Sequence, residues 1–330
     1  MGLLPWVVPM LIGHTTALTL NATLLSRENA SFPVENFHNS TGDRVFVVVL
    51  GHGQSSRSAG LSSTLQSFYR QLGAENFDCL VYVWNPRMPL PDVPPGCEIK
   101  VSPGVFMEYT PQIPEERLQA AKYAYLMADD VTLNVPGFSP MDISALRDMA
   151  TANCLDVLTP AQYRANYDEM KPASDGTSPG HLVKFFEWQG NLVRPHIVHA
   201  LARLASSNIT GCWSYDSLLW DAIETWTGRT PRLGVADNMV VDIGEYSLSG
   251  KSAAESEHDL SRHPCGKIFV DNGKIFHDAA HDQVDYWYRL AGFEDRRSQR
   301  HRKMGQLVNV GSRDAISAES CAAMLTTGVL

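Results

Sequence analysis

Val45-Phe46-Val47-Val48-Val49-Leu50-Gly51-His52-Gly53-Gln54-Ser55-Ser56 decides the fold class. Six apolar residues in a row, most of them β-branched, show no alternation of apolar and polar positions. Such a strand is buried on both faces, which is the condition of a parallel sheet. The run stops at a Gly-His-Gly turn with serines placed to cap a helix, and Leu61 to Leu72 reads as an amphipathic helix. Working outward, Asp78 to Trp84 is a second strand. A proline-rich loop spans Pro86 to Pro95, Glu98 to Val101 is a short third strand, and Pro114 to Ala121 is a helix with Glu115 and Glu116 at its N-terminus. Strand–helix–strand alternation predicts an α/β fold: a mostly parallel central sheet with helices on both faces and ligands at the carboxyl ends of its strands. Gly51 and His52, at the first of those ends, are candidate substrate contacts.

Several chemistries are excluded by spacing. After Gly51 and Gly53 the next glycine is Gly60, and no acidic residue closes the second strand, so the dinucleotide fingerprint is missing. The chain has no GxxxxGK[ST] phosphate loop and no GxSxG elbow. Its 330 residues carry 27 Lys+Arg against 36 Asp+Glu, a formal net charge of -9, which argues against a general nucleic-acid footprint. No internal apolar run approaches the roughly 20 residues of a membrane span, so a polytopic membrane protein is not expected.

The stretch Lys122-Tyr123-Ala124-Tyr125-Leu126-Met127-Ala128-Asp129-Asp130-Val131 runs an apolar strand straight into two adjacent carboxylates. An isolated Asp-Asp is most often a solvated turn or helix cap. Here the pair falls where an α/β sheet places its ligands, and two carboxylates there can hold a hard divalent cation that neutralises a diphosphate. Further on, Pro140 to Ala152 and Arg194 to Ala205 read as helices, and Leu155 to Leu158 leads into Thr159-Pro160-Ala161. His181 to Phe186 reads as a strand, Leu218 to Trp226 as an aromatic-rich helix, and Leu233 to Val235 and Met239 to Val241 as two short strands.

The first seventeen residues hold an apolar stretch from Leu3 to Ile12 that fits a signal-peptide core or short anchor, with Thr15-Thr16-Ala17 as a small-residue cleavage site. Residues 18–43 read as a stem carrying acceptor sequons at Asn21, Asn29 and Asn39; a fourth lies at Asn208. Six cysteines without a CxxC permit disulfides in an oxidising compartment. Together these point to the secretory-pathway lumen or secretion. The folded domain is placed at 44–250, and 251–330 is read as a C-terminal helical extension packed on the domain and carrying a basic cluster over residues 296–303, read as a solvated helix face.

The order of landmarks resembles a GT-A-type, nucleotide-diphospho-sugar transferase-like fold. More narrowly it is similar to the uncharacterised family labelled in plants "lysine ketoglutarate reductase trans-splicing related". The resemblance covers roughly residues 44–250. In that family a hydrophobic strand enters Asp-Glu-Asp, matched by Ala128, Asp129 and Asp130. Phe138-Ser139-Pro140, Thr159-Pro160-Ala161, Trp213-Ser214-Tyr215-Asp216, Gly234-Val235-Ala236-Asp237 and Asp242-Ile243-Gly244 match later elements. Ala128 stands where the first carboxylate would be, and Asp242 where a histidine would be.

The resemblance implies a glycosyltransferase-like protein that moves a sugar from a nucleotide sugar to a hydroxyl acceptor. Asp129, Asp130 and Asp242 would hold Mn²⁺ or Mg²⁺ on the diphosphate. Asp216 would be the general base, or else a helix cap, and Trp213 and Tyr215 would stack on a sugar or pack in the core. Asp237 is a further candidate substrate contact. Two other readings compete. One is a catalytically inactive sugar- or nucleotide-binding relative, which Ala128 favours. The other is a metal-dependent hydrolase built on His277 and His281, one turn apart with carboxylates beside them.

Overall fold

In the computed structural model the Val45-to-Leu50 run extends through the turn, and β1 is Val45–His52, buried at every position but Gly51. The structure describes residues 42–102, 104, 106–165, 170–172, 179–183, 186, 190–206, 223–224 and 231–243. Residues 1–41, where the leader and most of the stem are expected, all four sequons, Trp213, Tyr215, Asp216, His277, His281 and everything from 244 onward lie outside the described residues.

The following elements are α1 (Ser58–Leu72), β2 (Phe77–Val83), β3 (Cys97–Val101), α2 (Glu115–Ala120), β4 (Tyr123–Met127), β5 (Val131–Thr132) and α3 (Ile143–Ala152). After these come β6 (Val157–Gln162), β7 (Gly180–Val183), β8 (Gly190–Val193), α4 (Pro195–Ser206) and β9 (Leu233–Ile243). One sheet takes all the strands in the order β3-β2-β1-β4-β8-β6-β9-β5, with β7 also on β9. Strands β1, β2, β3, β4, β6 and β9 run one way, and β5, β7 and β8 run against them. The sheet is therefore mostly parallel.

The absence of alternation in β1 has a direct structural cause. Val45, Val47 and Val49 face one layer, with Leu61, Leu65 and Phe68 of α1 and Ile143, Leu146 and Met149 of α3. Phe46, Val48 and Leu50 face the other, with Leu118 of α2 and Ile197, Val198 and Leu201 of α4. Each such side chain contributes about 1.5–3 kcal/mol on full burial, so both faces must stay apolar.

The connection β1–α1–β2 leaves β1 on one side, and β4 returns to its other side, giving the local order β3-β2-β1-β4. The winding therefore reverses between β1 and β4. That reversal opens a crevice outside their carboxyl ends, where open α/β sheets place ligands. Residues 51–53 and 128–130 sit there.

Three expectations are corrected in detail, and one strand is added. The helix over Pro140–Ala152 starts at Ile143, because Asp142 caps it by accepting from the Ser144 and Ala145 amides at 2.8 and 3.1 Å. The two short strands at 233–241 are one, β9, whose register against β6 jumps from Pro160↔Ala236 to Ala161↔Val240, leaving residues 237–239 as a bulge. The strand at His181–Phe186 is Gly180–Val183. Strand β8, antiparallel to β4 and β6, has no sequence counterpart: Gly190-Asn191-Leu192-Val193 is too short to show a period. Pro160 is tolerated in β6 because pairing with β8 stops at Leu158, so no ladder bond is lost on that side.

The β2–β3 edge is stapled twice. Cys79 and Cys97 are paired residues of the two strands and form a disulfide. Arg117 of α2 ion-pairs with Asp78 and Glu98 and lies 4.5 Å over the Phe46 ring. Cys154 is also disulfide-bonded. Among the described residues no helix is long and apolar enough to cross a membrane.

Candidate functional site

The two glycines of the first turn have separate physical reasons. Gly51 sits at φ +98°, a conformation that side-chain-bearing residues avoid. Gly53 lies flat against Trp84 at the end of β2, and a Cβ there would come within 1.8 Å of the indole. Between them the chain turns His52 inward, fully buried.

His52 Nδ1 lies 2.8 Å from Asp129 Oδ2, and its Nε2 lies 3.0 Å from the Ser58 hydroxyl at the start of α1. An ionised carboxylate only accepts. In the neutral ring, therefore, Nδ1–H donates to Asp129 and Nε2 accepts from Ser58. Arg57 closes the arrangement from the other side. It is the last residue of the 3₁₀ turn Ser55–Arg57 that leads into α1, and its Nη1 donates to Asp129 Oδ1 at 2.7 Å. The same nitrogen lies 3.4 Å from Asp130 Oδ2. Thr64 of α1 donates to the Val131 carbonyl at 3.2 Å and ties the helix to the chain just after the acid pair.

The two adjacent carboxylates therefore differ. Asp129 is 6 % exposed and has both oxygens occupied. Asp130 is 14 % exposed, and its Oδ1 is buried without a hydrogen-bond partner. Burial pushes the Asp130 carboxyl up from 3.8 to about 6; Arg57 opposes the shift and the Asp129 charge adds to it.

The other sequence candidates have partners of their own. Asp242, opposite Thr132 in the β5–β9 ladder, accepts both nitrogens of the Arg164 fork at 2.8 and 2.9 Å. Asp237 is buried at the β9 bulge against His181 Nδ1 at 3.1 Å, with its backbone amide on the Pro179 carbonyl. Among the described residues no three His, Cys, Asp or Glu side chains form a group suited to a metal. As one donor set for Mn²⁺ or Mg²⁺, the carboxylates Asp129, Asp130 and Asp242 do not fit. The oxygens of the first and third are held by His52, Arg57 and Arg164, and a hard cation needs several oxygen donors at once.

Arg57 and Ser58 are functional candidates that sequence reading passes over. Their signal was positional. They stand in the turn after the first strand, where doubly wound sheets contact ligands, but neither belongs to a motif of fixed spacing.

No family model matches the chain, and no curated protein does. The likeness to the plant family therefore rests on its motifs alone. Among solved structures, the chain is similar to the crystal structure of S. aureus TarS 1-349, at 11 % identity and a TM-score of 0.38. The match covers 76 % of this chain and 83 % of that one. At that score the likeness bears no weight, and the functional reading stands on the geometry of the site.

Proposed function

We propose that this chain is a glycosyltransferase-like protein that takes a nucleotide sugar at the carboxyl ends of β1 and β4 and passes the sugar to a hydroxyl acceptor. The observation that carries the reading is the unpartnered oxygen of Asp130, at the point where the winding of the sheet reverses. A buried carboxylate oxygen without a donor is costly, and such groups persist where a ligand satisfies them. Sugar and ribose hydroxyls are donors that match it, through short charge-assisted hydrogen bonds. Arg57 beside it supplies a planar fork of the kind that recognises phosphate.

In this reading His52 and Ser58 hold Asp129, Asp129 holds Arg57, and Asp130 is left to meet the ligand. Asp216 is the proposed base that takes the acceptor's proton, with Trp213 and Tyr215 as stacking surfaces; Gly51 and His52 shape the turn that ends β1, and Asp237 acts from the β9 bulge, where His181 holds it. The disulfide bonds at Cys79–Cys97 and at Cys154 support placement in an oxidising compartment, the secretory-pathway lumen or outside the cell. The sequons at Asn21, Asn29, Asn39 and Asn208 would be glycosylated there.

A second reading, a relative that binds but does not transfer, is favoured by one observation: Ala128 removes a carboxylate from a site in which Asp129 is already occupied. The test is release of nucleoside diphosphate from a panel of UDP- and GDP-sugars by the purified chain and by Asp130→Ala. The transferase reading expects turnover of at least one donor, falling at least about tenfold in the variant, roughly 1.4 kcal/mol of lost stabilisation. Donor binding without turnover selects the binding relative. Turnover untouched by Asp130→Ala overturns the placement of the site.

A further inference from the structure

We infer that Arg57 is the resident cation of this site, so that a nucleoside diphosphate binds here without a divalent metal. The inference rests on the nucleotide-sugar reading above and specifies how that site meets phosphate.

A metal shared by two neighbouring carboxylates must reach an oxygen of each. In this chain one atom already does so: Arg57 Nη1, 2.7 Å from Asp129 Oδ1 and 3.4 Å from Asp130 Oδ2. The arrangement is braced. His52 holds the second oxygen of Asp129 at 2.8 Å, and Ser58 holds the far side of the His52 ring at 3.0 Å. Asp129 therefore cannot turn toward an incoming ion without breaking two charge-assisted bonds and disturbing a histidine that is wholly inside the protein. Asp242, the third expected ligand, is paired at the surface with the Arg164 fork.

The guanidinium suits the role. It is always protonated and planar, and its donors match two phosphate oxygens at once. It is 27 % exposed, so it is not sealed inside the protein. It also stands where the chain enters the 15-residue helix α1, whose aligned peptide dipoles place about half a positive charge at that end. Two carboxylates with one guanidinium carry one positive charge less than with a divalent ion, and the helix end supplies part of the difference.

The test is isothermal titration of UDP and of GDP into the full chain, once in EDTA and once in excess MnCl₂, for wild type, Arg57→Gln and Arg57→Lys. Circular dichroism melts establish that each variant is folded. The inference expects wild-type affinities that agree within about threefold in the two buffers, a loss of at least about tenfold in Arg57→Gln, and partial retention in Arg57→Lys, which keeps the charge but not the fork. Binding seen only with Mn²⁺ overturns the resident-cation role while leaving the nucleotide site standing. Folded Arg57→Gln that binds as wild type does overturns it as well. Should Arg57→Gln not fold, Arg57→Lys decides: full retention, or Mn²⁺-dependent binding, overturns the inference. No binding of either nucleotide by wild type in either buffer overturns both the inference and the reading beneath it.

Discussion

Asp130 is a charge that folding disfavours. Its carboxyl is raised from 3.8 to about 6, chiefly by burial, so between those values the folded chain holds a proton that the unfolded chain has released. Stability from this group is greatest at low pH and declines as pH rises through that window, and above it the full cost is present. Two units correspond to about 3 kcal/mol as an upper figure. Asp130→Asn keeps the shape and removes the charge. It is expected to stabilise the chain by about 1–3 kcal/mol in urea unfolding at about pH 7.5, and the gain should vanish near pH 4. Equal effects at both pH values would show that the shift is not electrostatic. Stabilisation at the expense of ligand binding is the usual mark of a functional residue.

At the scale of elements, the strands that build the crevice were the most legible. Continuous apolar runs at β1, β2 and β4 identify buried parallel strands because nothing polar could face either layer. Asp129 and Asp130 were legible for the same reason, since they end such a run. What distinguishes them was not legible. The donors on Asp129 come from residues 77 and 72 positions away, and no local pattern records which of two neighbours they choose. The bulge in β9 and the antiparallel β8 were hidden because both are set by pairing partners rather than by period. The edge pair β2–β3 carries its own prediction. The Cys79–Cys97 disulfide closes a separation of 18 residues. Replacing both cysteines with serine is expected to lower stability by about 2–4 kcal/mol in urea unfolding. No change would mean that the Arg117 clamp and the strand ladder hold the edge alone.

At the scale of the molecule, the fold sets one turn shaped by two glycines and an acid pair at one end of a two-faced sheet, and one arginine stands between them. The aspartates that the motif order grouped with this pair, Asp237 and Asp242, belong to β9 and have partners of their own. Recognition therefore concentrates on Arg57 and Asp130. A crystal structure of the chain grown with UDP or GDP tests this most directly. The expected result is diphosphate density within hydrogen-bond distance of the Arg57 guanidinium and a ligand hydroxyl on Asp130 Oδ1. Nucleotide bound elsewhere on the molecule, with Arg57 still bridging Asp129 and Asp130 and Asp130 Oδ1 still without a partner, would contradict it.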